Sequence, residues 1–415
     1  MFARGKLPPG ALDGLDVLEK SERTILLKQA ALHGPIFRAT AYDQFWVILI
    51  GLGLGRRFLR EHAGHLQPVT VQVDSLVPGG FMRQMRGEPH RKYRRALIRA
   101  LAPEDVTGRA GDLERLVSES LRQYAATEAE HRGSSVAYIA ALTTIATGML
   151  VQVFFGAAPG SPQYERLLRG YHELGPYGMV WNIGERQRKA FAELRACLRE
   201  HAAAGPAAGQ PGSILERMHA EGVLDDTLLG NLIYMVEMGR YDTRALFRWM
   251  SRYAATNPEL TVGIAREAAA AEAASPLAEA FVLETLRMDQ SERLLRRVER
   301  DLVFEGHFIP KGSMVRVCLW ESHKSEEAFP EAFRFHPERF LNREFGSDQF
   351  APFGLDHHQC PLGNVAMKTG LMFLRTLARE YTVAPLQDGD AVRGAYHWEP
   401  ATGFSVWLQP RAQVP

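Results

Sequence analysis

Cys360 is the residue whose setting offers the most chemistry, in Phe353-Gly354-Leu355-Asp356-His357-His358-Gln359-Cys360-Pro361-Leu362-Gly363. A helical pattern follows it, and proline suits the first position of a helix, where no N–H partner is needed. The spacing therefore predicts that the sulfur stands at a helix N-terminus, where unpaired N–H groups and the dipole favour thiolate over thiol. Such a thiolate is a metal ligand or a nucleophile, whereas a lone cysteine also reads as a small buried hydrophobe. Charges recur elsewhere at helical spacing. Glu284 and Arg287 share one helical face, and His90 and Arg94 share another at i,i+4. A long helical pattern carries Glu237, Asp242 and Thr243, two acids and an alcohol able to hold or pass a proton.

Together, and in this order, these segments resemble the cytochrome P-450 family. Phe353, His358 and Cys360 fall in register with its haem-binding loop, F-x-x-G-x-[H/R]-x-C-x-G, and Ala366 falls where the next helix usually carries alanine. Two positions depart: Asp356 replaces the first motif glycine and Leu362 the second. Aspartate accepts positive φ better than most residues, but Leu362 puts a branched side chain where the family keeps the helix start bare.

The resemblance implies haem b with Cys360 as the thiolate ligand and Phe353 and Gly239 beside the cofactor. His90, Arg94, Arg296 and His358 would hold its propionates, since guanidinium pairs well with carboxylate. Arg297 is the rival to Arg296 if the register slips by one. Glu284-Thr285-Leu286-Arg287 resembles the family's E-x-x-R helix, with Arg339 of Phe335-His336-Pro337-Glu338-Arg339-Phe340 as third partner. A buried set of this kind must be fully hydrogen-bonded to be tolerated. Substrate would meet Leu76, Phe81 and Met82 on one mobile wall, Met179, Val180 and Trp181 on a lid, and Met235, Met238 and Leu294. The implied fold is mainly α with a minor β-sheet, a single cytochrome P-450 domain over residues 1–415. It is a triangular prism with haem buried between the long central helix and the Cys-bearing helix.

The central helix departs from the family pattern A-G-x-[D/E]-T, whose acid and alcohol relay protons during dioxygen activation. Anchoring on Gly239 and Trp249 places Met238 for alanine, Tyr241 for the acid and Asp242 for the alcohol. Thr243 comes one residue late, rotated about 100° around the helix. A one-residue π-bulge would return Asp242 and Thr243 to the acid–alcohol pair. Without it, a carboxylate faces the iron.

Composition fits an enzyme of this kind. The 415 residues are 46% hydrophobic, enough for a large core. Lys plus Arg (49) balance Asp plus Glu (48), which argues against a nucleic-acid partner held by bulk charge. Three scattered cysteines imply no disulfide framework. Residues 1–20 carry no signal-peptide pattern, and the apolar stretch Phe45–Leu54 is too short to span a bilayer. The expectation is a soluble, cytoplasmic, bacterial-type monomer with no membrane association.

Strands are predicted at 34–40, 46–50, 301–304, 307–309 and 314–319. Helices are predicted at 85–101, 110–128, 136–155, 163–173, 185–203, 225–256 and 276–289. The leading functional expectation is an oxidoreductase of specialised metabolism, acting on a small to medium apolar molecule with electrons from ferredoxin and its reductase. The alternatives are non-monooxygenase chemistry (peroxide-driven oxidation, dehydration, redox-neutral N–O or O–O cleavage, cyclisation or group transfer) and a non-catalytic activator of a partner enzyme. Retention of Cys360, His90, Arg94 and Arg296 weighs against the last.

Overall fold

The structure is a computed structural model. It describes residues 5–69, 76–77, 79–102, 104–130, 134–175, 183–206, 212–269, 275–289, 293–394 and 397–411. In chain order the first elements are α1 (Leu15–Ser21), α2 (Ile25–His33), β1 (Ile36–Ala41), β2 (Gln44–Ile50), α3 (Leu52–Glu61) and β3 (Leu66–Pro68). Helices α4 (Gly87–Ala100), α5 (Glu104–Thr107), α6 (Ala110–Glu130), α7 (Ser135–Phe155), α8 (Pro162–Leu174) and α9 (Glu185–Ala204) follow. Next come α10 (Ile214–Ala220), α11 (Asp226–Thr256), α12 (Pro258–Ala269) and α13 (Pro276–Asp289). Strands β4 (Arg293–Val298), β5 (Leu302–Phe304), β6 (His307–Ile309) and β7 (Met314–Cys318) lead to α14 (Leu319–Ser322). The chain ends with α15 (Gly363–Glu380), β8 (Tyr381–Gln387), β9 (Val392–Arg393), β10 (Trp398–Glu399) and β11 (Ser405–Pro410).

Two compact units share the chain. The first comprises Met1–Thr70, Leu283–Cys360 and Asp390–Glu399. Its five-stranded sheet runs β1-β2-β7-β4-β3, with β2 and β7 parallel and the other pairs antiparallel. Tyr42 and Asp43 both adopt positive φ between β1 and β2, the geometry a two-residue hairpin turn needs to match strand twist. Phe37, Val47, Ile48, Leu49, Val315 and Val317 are fully buried around this sheet.

The second unit comprises Val71–Val282, Pro361–Gly389 and Pro400–Pro415, and is built on helices. Helix α11 starts at Asp225, whose side chain accepts from the Leu228 N–H, and stops at Asn257, ahead of Pro258. Phe247 of α11 stacks on Phe373 of α15 with ring centroids 4.2 Å apart. Helix α7 carries no charged residue, and among the described residues it alone is long and apolar enough to cross a membrane. It exceeds the Phe45–Leu54 stretch that the sequence singled out, but it is a core helix: Leu142, Ile145, Met149, Val153 and Phe154 are wholly buried.

The predicted helices and strands recur within a few residues of their expected bounds. One start differs. Helix α15 begins at Gly363, with Leu362 as its N-cap at φ −103°, ψ 15°, so Pro361 lies in the preceding turn and not in the first helical position.

Candidate active site

In the first unit, the segment ahead of Cys360 folds back on itself. The Cys360 N–H donates to Phe353 O at 2.9 Å, and the Gln359 N–H to Asp356 O at 3.0 Å. The reversal uses two left-handed residues, Gly354 at φ 89° and Asp356 at φ 60°. Asp356, standing for a family glycine, thus takes the conformation that aspartate tolerates, and Arg60 of α3 lies 3.5 Å from its carboxylate. The Cys360 side chain is exposed and that of His358 half-buried. Strand alternation gives the neighbouring arginines different settings. Arg296 is buried on the same face of β4 as Leu294 and Val298, while Arg297 is exposed. Leu294 also reaches the loop, where its Cδ2 would lie 3.5 Å from a Cβ built on Gly354.

In the second unit, α4 sorts its charges in the same way. His90 is buried and Arg94 half-buried, whereas Arg91, Lys92 and Arg95 are exposed. Arg91 pairs with Glu88, and Lys92 lies 3.6 Å from Asp225.

Between Leu228 and Ser251, helix α11 carries a single accessible stripe. From Leu228 to Ser251 every residue is buried except Met235, Met238, Gly239 and Asp242. Their spacing of i, i+3, i+4 and i+7 is one face of an α-helix. The helix holds α geometry throughout, with no π segment, so Thr243 is not brought onto the stripe and is buried. Glu237 lies off it as well, wholly buried against Arg240 at 2.7 Å. The bareness of Gly239 serves packing at least in part, since a Cβ there would come 3.1 Å from Leu150 Cδ1 of α7.

Of the substrate-facing candidates, Leu76, Phe81 and Met82 are buried, and Met179, Val180 and Trp181 lie outside the described residues. The Phe81 ring packs edge-on to Tyr234 of α11, with centroids 4.0 Å apart.

The E-x-x-R set is complete. Arg287 grips both Glu284 oxygens, at 2.7 and 2.8 Å, and also donates to His323 O and Ala332 O. Glu284 further accepts from the His336 N–H at 2.9 Å and from Arg339 at 3.2 Å. Glu284 and Arg287 are both wholly buried.

Residues 269–399 match the cytochrome P-450 family model. Abscisic acid 8'-hydroxylase 1 of Arabidopsis thaliana is 23% identical over 79% of this chain and 74% of its own. Abscisic acid 8'-hydroxylase 2 of Oryza sativa subsp. indica is also 23% identical, over 97% of this chain and 87% of its own. A solved structure, the cyanobacterial CYP120A1 with retinoic acid bound, superimposes with a TM-score of 0.75 at 18% identity, over 99% of this chain and 100% of that one. Over residues 269–399 this chain is similar to the cytochrome P-450 family.

Its fold is the cytochrome P-450 fold, mainly α with small sheets, and its cofactor is haem b with cysteine thiolate ligation. It is an oxidoreductase of the monooxygenase type, taking a small-molecule substrate and a redox partner. The residues present fit the cofactor: an exposed thiol on a closed loop suits iron, while buried imidazole and guanidinium groups suit carboxylates. Sequence reasoning missed two contributors. Asn231 is a wholly buried polar residue inside an apolar helical run, a signal visible in Leu228-Leu229-Gly230-Asn231-Leu232-Ile233. Arg60 gave no such signal, because its partner Asp356 is remote in sequence.

Proposed function

We propose that this cytochrome P-450 is an oxidoreductase of specialised metabolism with an atypical proton-handling residue, Asp242, acting on a small to medium apolar molecule. Residues 1–415 act as one catalytic domain, cytoplasmic and monomeric, of the soluble bacterial type. Electrons come from ferredoxin and its reductase. Haem b bound through thiolate supplies oxygen activation, because the sulfur pushes electron density that favours O–O cleavage.

The chain's own residues have divided tasks. Cys360 provides the sulfur, and His90, Arg94, Arg296 and His358 hold the propionates. Phe81, Met82, Met235 and Met238 exclude water and present an apolar surface to the substrate. Relatives named for abscisic acid and bound to retinoic acid support a substrate of that size class. The observation that carries the reading is the α11 stripe, on which Asp242 is the one group able to hold and release a proton. Glu237 is left to its partner Arg240. The unbroken α geometry through Asp242 and Thr243 also favours a second reading, redox-neutral or peroxide-driven chemistry, in which a carboxyl donates to a leaving oxygen and then acts as base.

The reduced carbonyl spectrum tests the ligand. Wild-type protein should show the strongly red-shifted Soret band of thiolate ligation, and Cys360→Ala should lose it. A histidine-type spectrum in fresh protein would count against the proposal. Turnover of candidate substrates with and without a reductase separates the two chemistries.

A further inference from the structure

We propose that Asn231 is the positioning residue of the substrate pocket, setting where Phe81 and Met82 stand. The inference rests on the reading of those two side chains as substrate-facing. The Asn231 side chain is wholly buried on α11, and each polar atom of its amide is used. Its Oδ1 accepts from the Met82 N–H at 2.6 Å. Its Nδ2 donates to Gly80 O at 3.2 Å and to Thr227 O, one turn back on its own helix, at 2.8 Å.

The primary amide thus offers an acceptor and a donor side by side, as a neighbouring strand would. It clasps the backbone on either side of Phe81. A planar amide does this in one orientation only, so the backbone of residues 80–82 is fixed against α11 in register as well as in distance. Two further contacts set the same register. The Phe81 ring meets Tyr234, three residues beyond Asn231 and hence on the same helical face. Gly79, at φ 75°, lies so close to α11 that an added Cβ would come 2.8 Å from Thr227 Oγ1. Arg195 of α9 holds the other end of the segment, donating to Leu76 O at 2.8 Å. With the clasp in place, Phe81 and Met82 form a wall of fixed position; without it, the wall can yield to a larger ligand.

The test uses haem-loaded protein, two iron-binding probes of different size (imidazole and clotrimazole) and amide hydrogen exchange. In the wild type the Met82 amide should exchange slowly. In Asn231→Ala it should exchange at least about tenfold faster. The imidazole Kd should stay within about twofold, while the clotrimazole Kd shifts by at least about fivefold, so that the ratio of the two moves. Asn231→Asp keeps the volume and the acceptor for Met82 but loses the donor to Gly80. It should shift the same ratio, and it serves if the alanine variant does not fold. An Asn231 with only a structural role would lower haem content or melting temperature in both variants and leave the ratio at its wild-type value, which would overturn the proposal. So would an unprotected Met82 amide in the wild type. Wild-type protein whose Soret band does not respond to imidazole would bring down the haem reading itself, and this inference with it.

Discussion

Two carboxylates on helices, Glu284 and Asp242, show how differently one kind of group can be used. Glu284 is surrounded by Arg287, Arg339 and the His336 N–H, drawn from separate stretches of the first unit, and it is shut off from solvent. Its charge is committed to its neighbours. Asp242, in the second unit, sits on the one accessible stripe of an otherwise buried helix segment. Glu237, only five residues before it, belongs with Glu284: it is buried and paired with Arg240, which also donates to Tyr171 O and Gly175 O at the end of α8. A buried, ion-paired acid is committed to its neighbours and costly to strand, whereas a partly accessible acid is free to do chemistry.

The contrast breaks most visibly at Glu284. Glu284→Ala leaves Arg287 buried without its carboxylate, at a cost of about 3–5 kcal/mol. The variant should be insoluble or free of haem. A soluble, haem-replete Glu284→Ala protein with altered substrate preference would place Glu284 among the chemical residues instead.

At Asp242 the expected effect is on rate. Asp242→Asn keeps the shape and removes the acid, so turnover should fall by about 10²-fold or more with the haem spectrum intact. Thr243→Ala, off the stripe, should retain most activity. The reverse pattern, a near-normal Asp242→Asn and an inactive Thr243→Ala, would mean that the ordinary acid–alcohol relay operates.

Most of the fold was legible because long amphipathic helices announce themselves. The bounds of α11 follow from apolar spacing closed by Asp225 and by Asn257-Pro258. Helix α1, of seven residues, and the two-residue strands β9 and β10 were not, since so few residues show no period. The different burial of Arg296 and Arg297 needed the strand: two adjacent arginines are equivalent until alternation buries one and exposes the other. The burial of Glu237 was open for a similar reason. Helical spacing gives Arg240 as a neighbour, but not the α8 carbonyls that hold Arg240 in place.

The committed cluster has a pH signature that sharpens the contrast. His323, whose carbonyl accepts from Arg287 and whose Nε2 accepts from the Ala351 N–H, is fully buried. Burial, helped by the charges of Lys324 and Arg287, holds its imidazole well below the usual range. Above about pH 6.5 the imidazole is neutral in both folded and unfolded chains, and its contribution to stability is fully present. As pH falls below that value the unfolded chain takes up a proton that the folded chain refuses. Stability should then drop by up to about 1.4 kcal/mol per pH unit. Urea unfolding at pH 7.5 and 5.5 measures this. His323→Gln should show a smaller difference between the two, and an equal one would mean that other groups set the acid response.

The smallest effect is expected at Asp356, where the two uses of a carboxylate are hardest to tell apart. Asp356→Gly removes the ion pair with Arg60, but Arg60 is 62% exposed and the separation is 3.5 Å, so solvent screening limits that loss to about 1 kcal/mol at most. The same change relieves a non-glycine residue at φ 60°, a gain of similar size that the freer unfolded chain partly offsets. The terms oppose each other, so the melting temperature and the thiolate carbonyl band should both stay near wild type. Asp356→Ala has neither compensation, because it loses the pair and keeps a Cβ in the left-handed region. It should be less stable than Asp356→Gly by about 1 kcal/mol. That ranking, glycine above alanine with an unchanged spectrum, is what a loop-shaping aspartate requires. If instead Asp356→Gly lost haem or shifted the Soret band while remaining folded, the carboxylate would belong with Asp242, acting on the cofactor side of the Cys360 loop and not only on its shape.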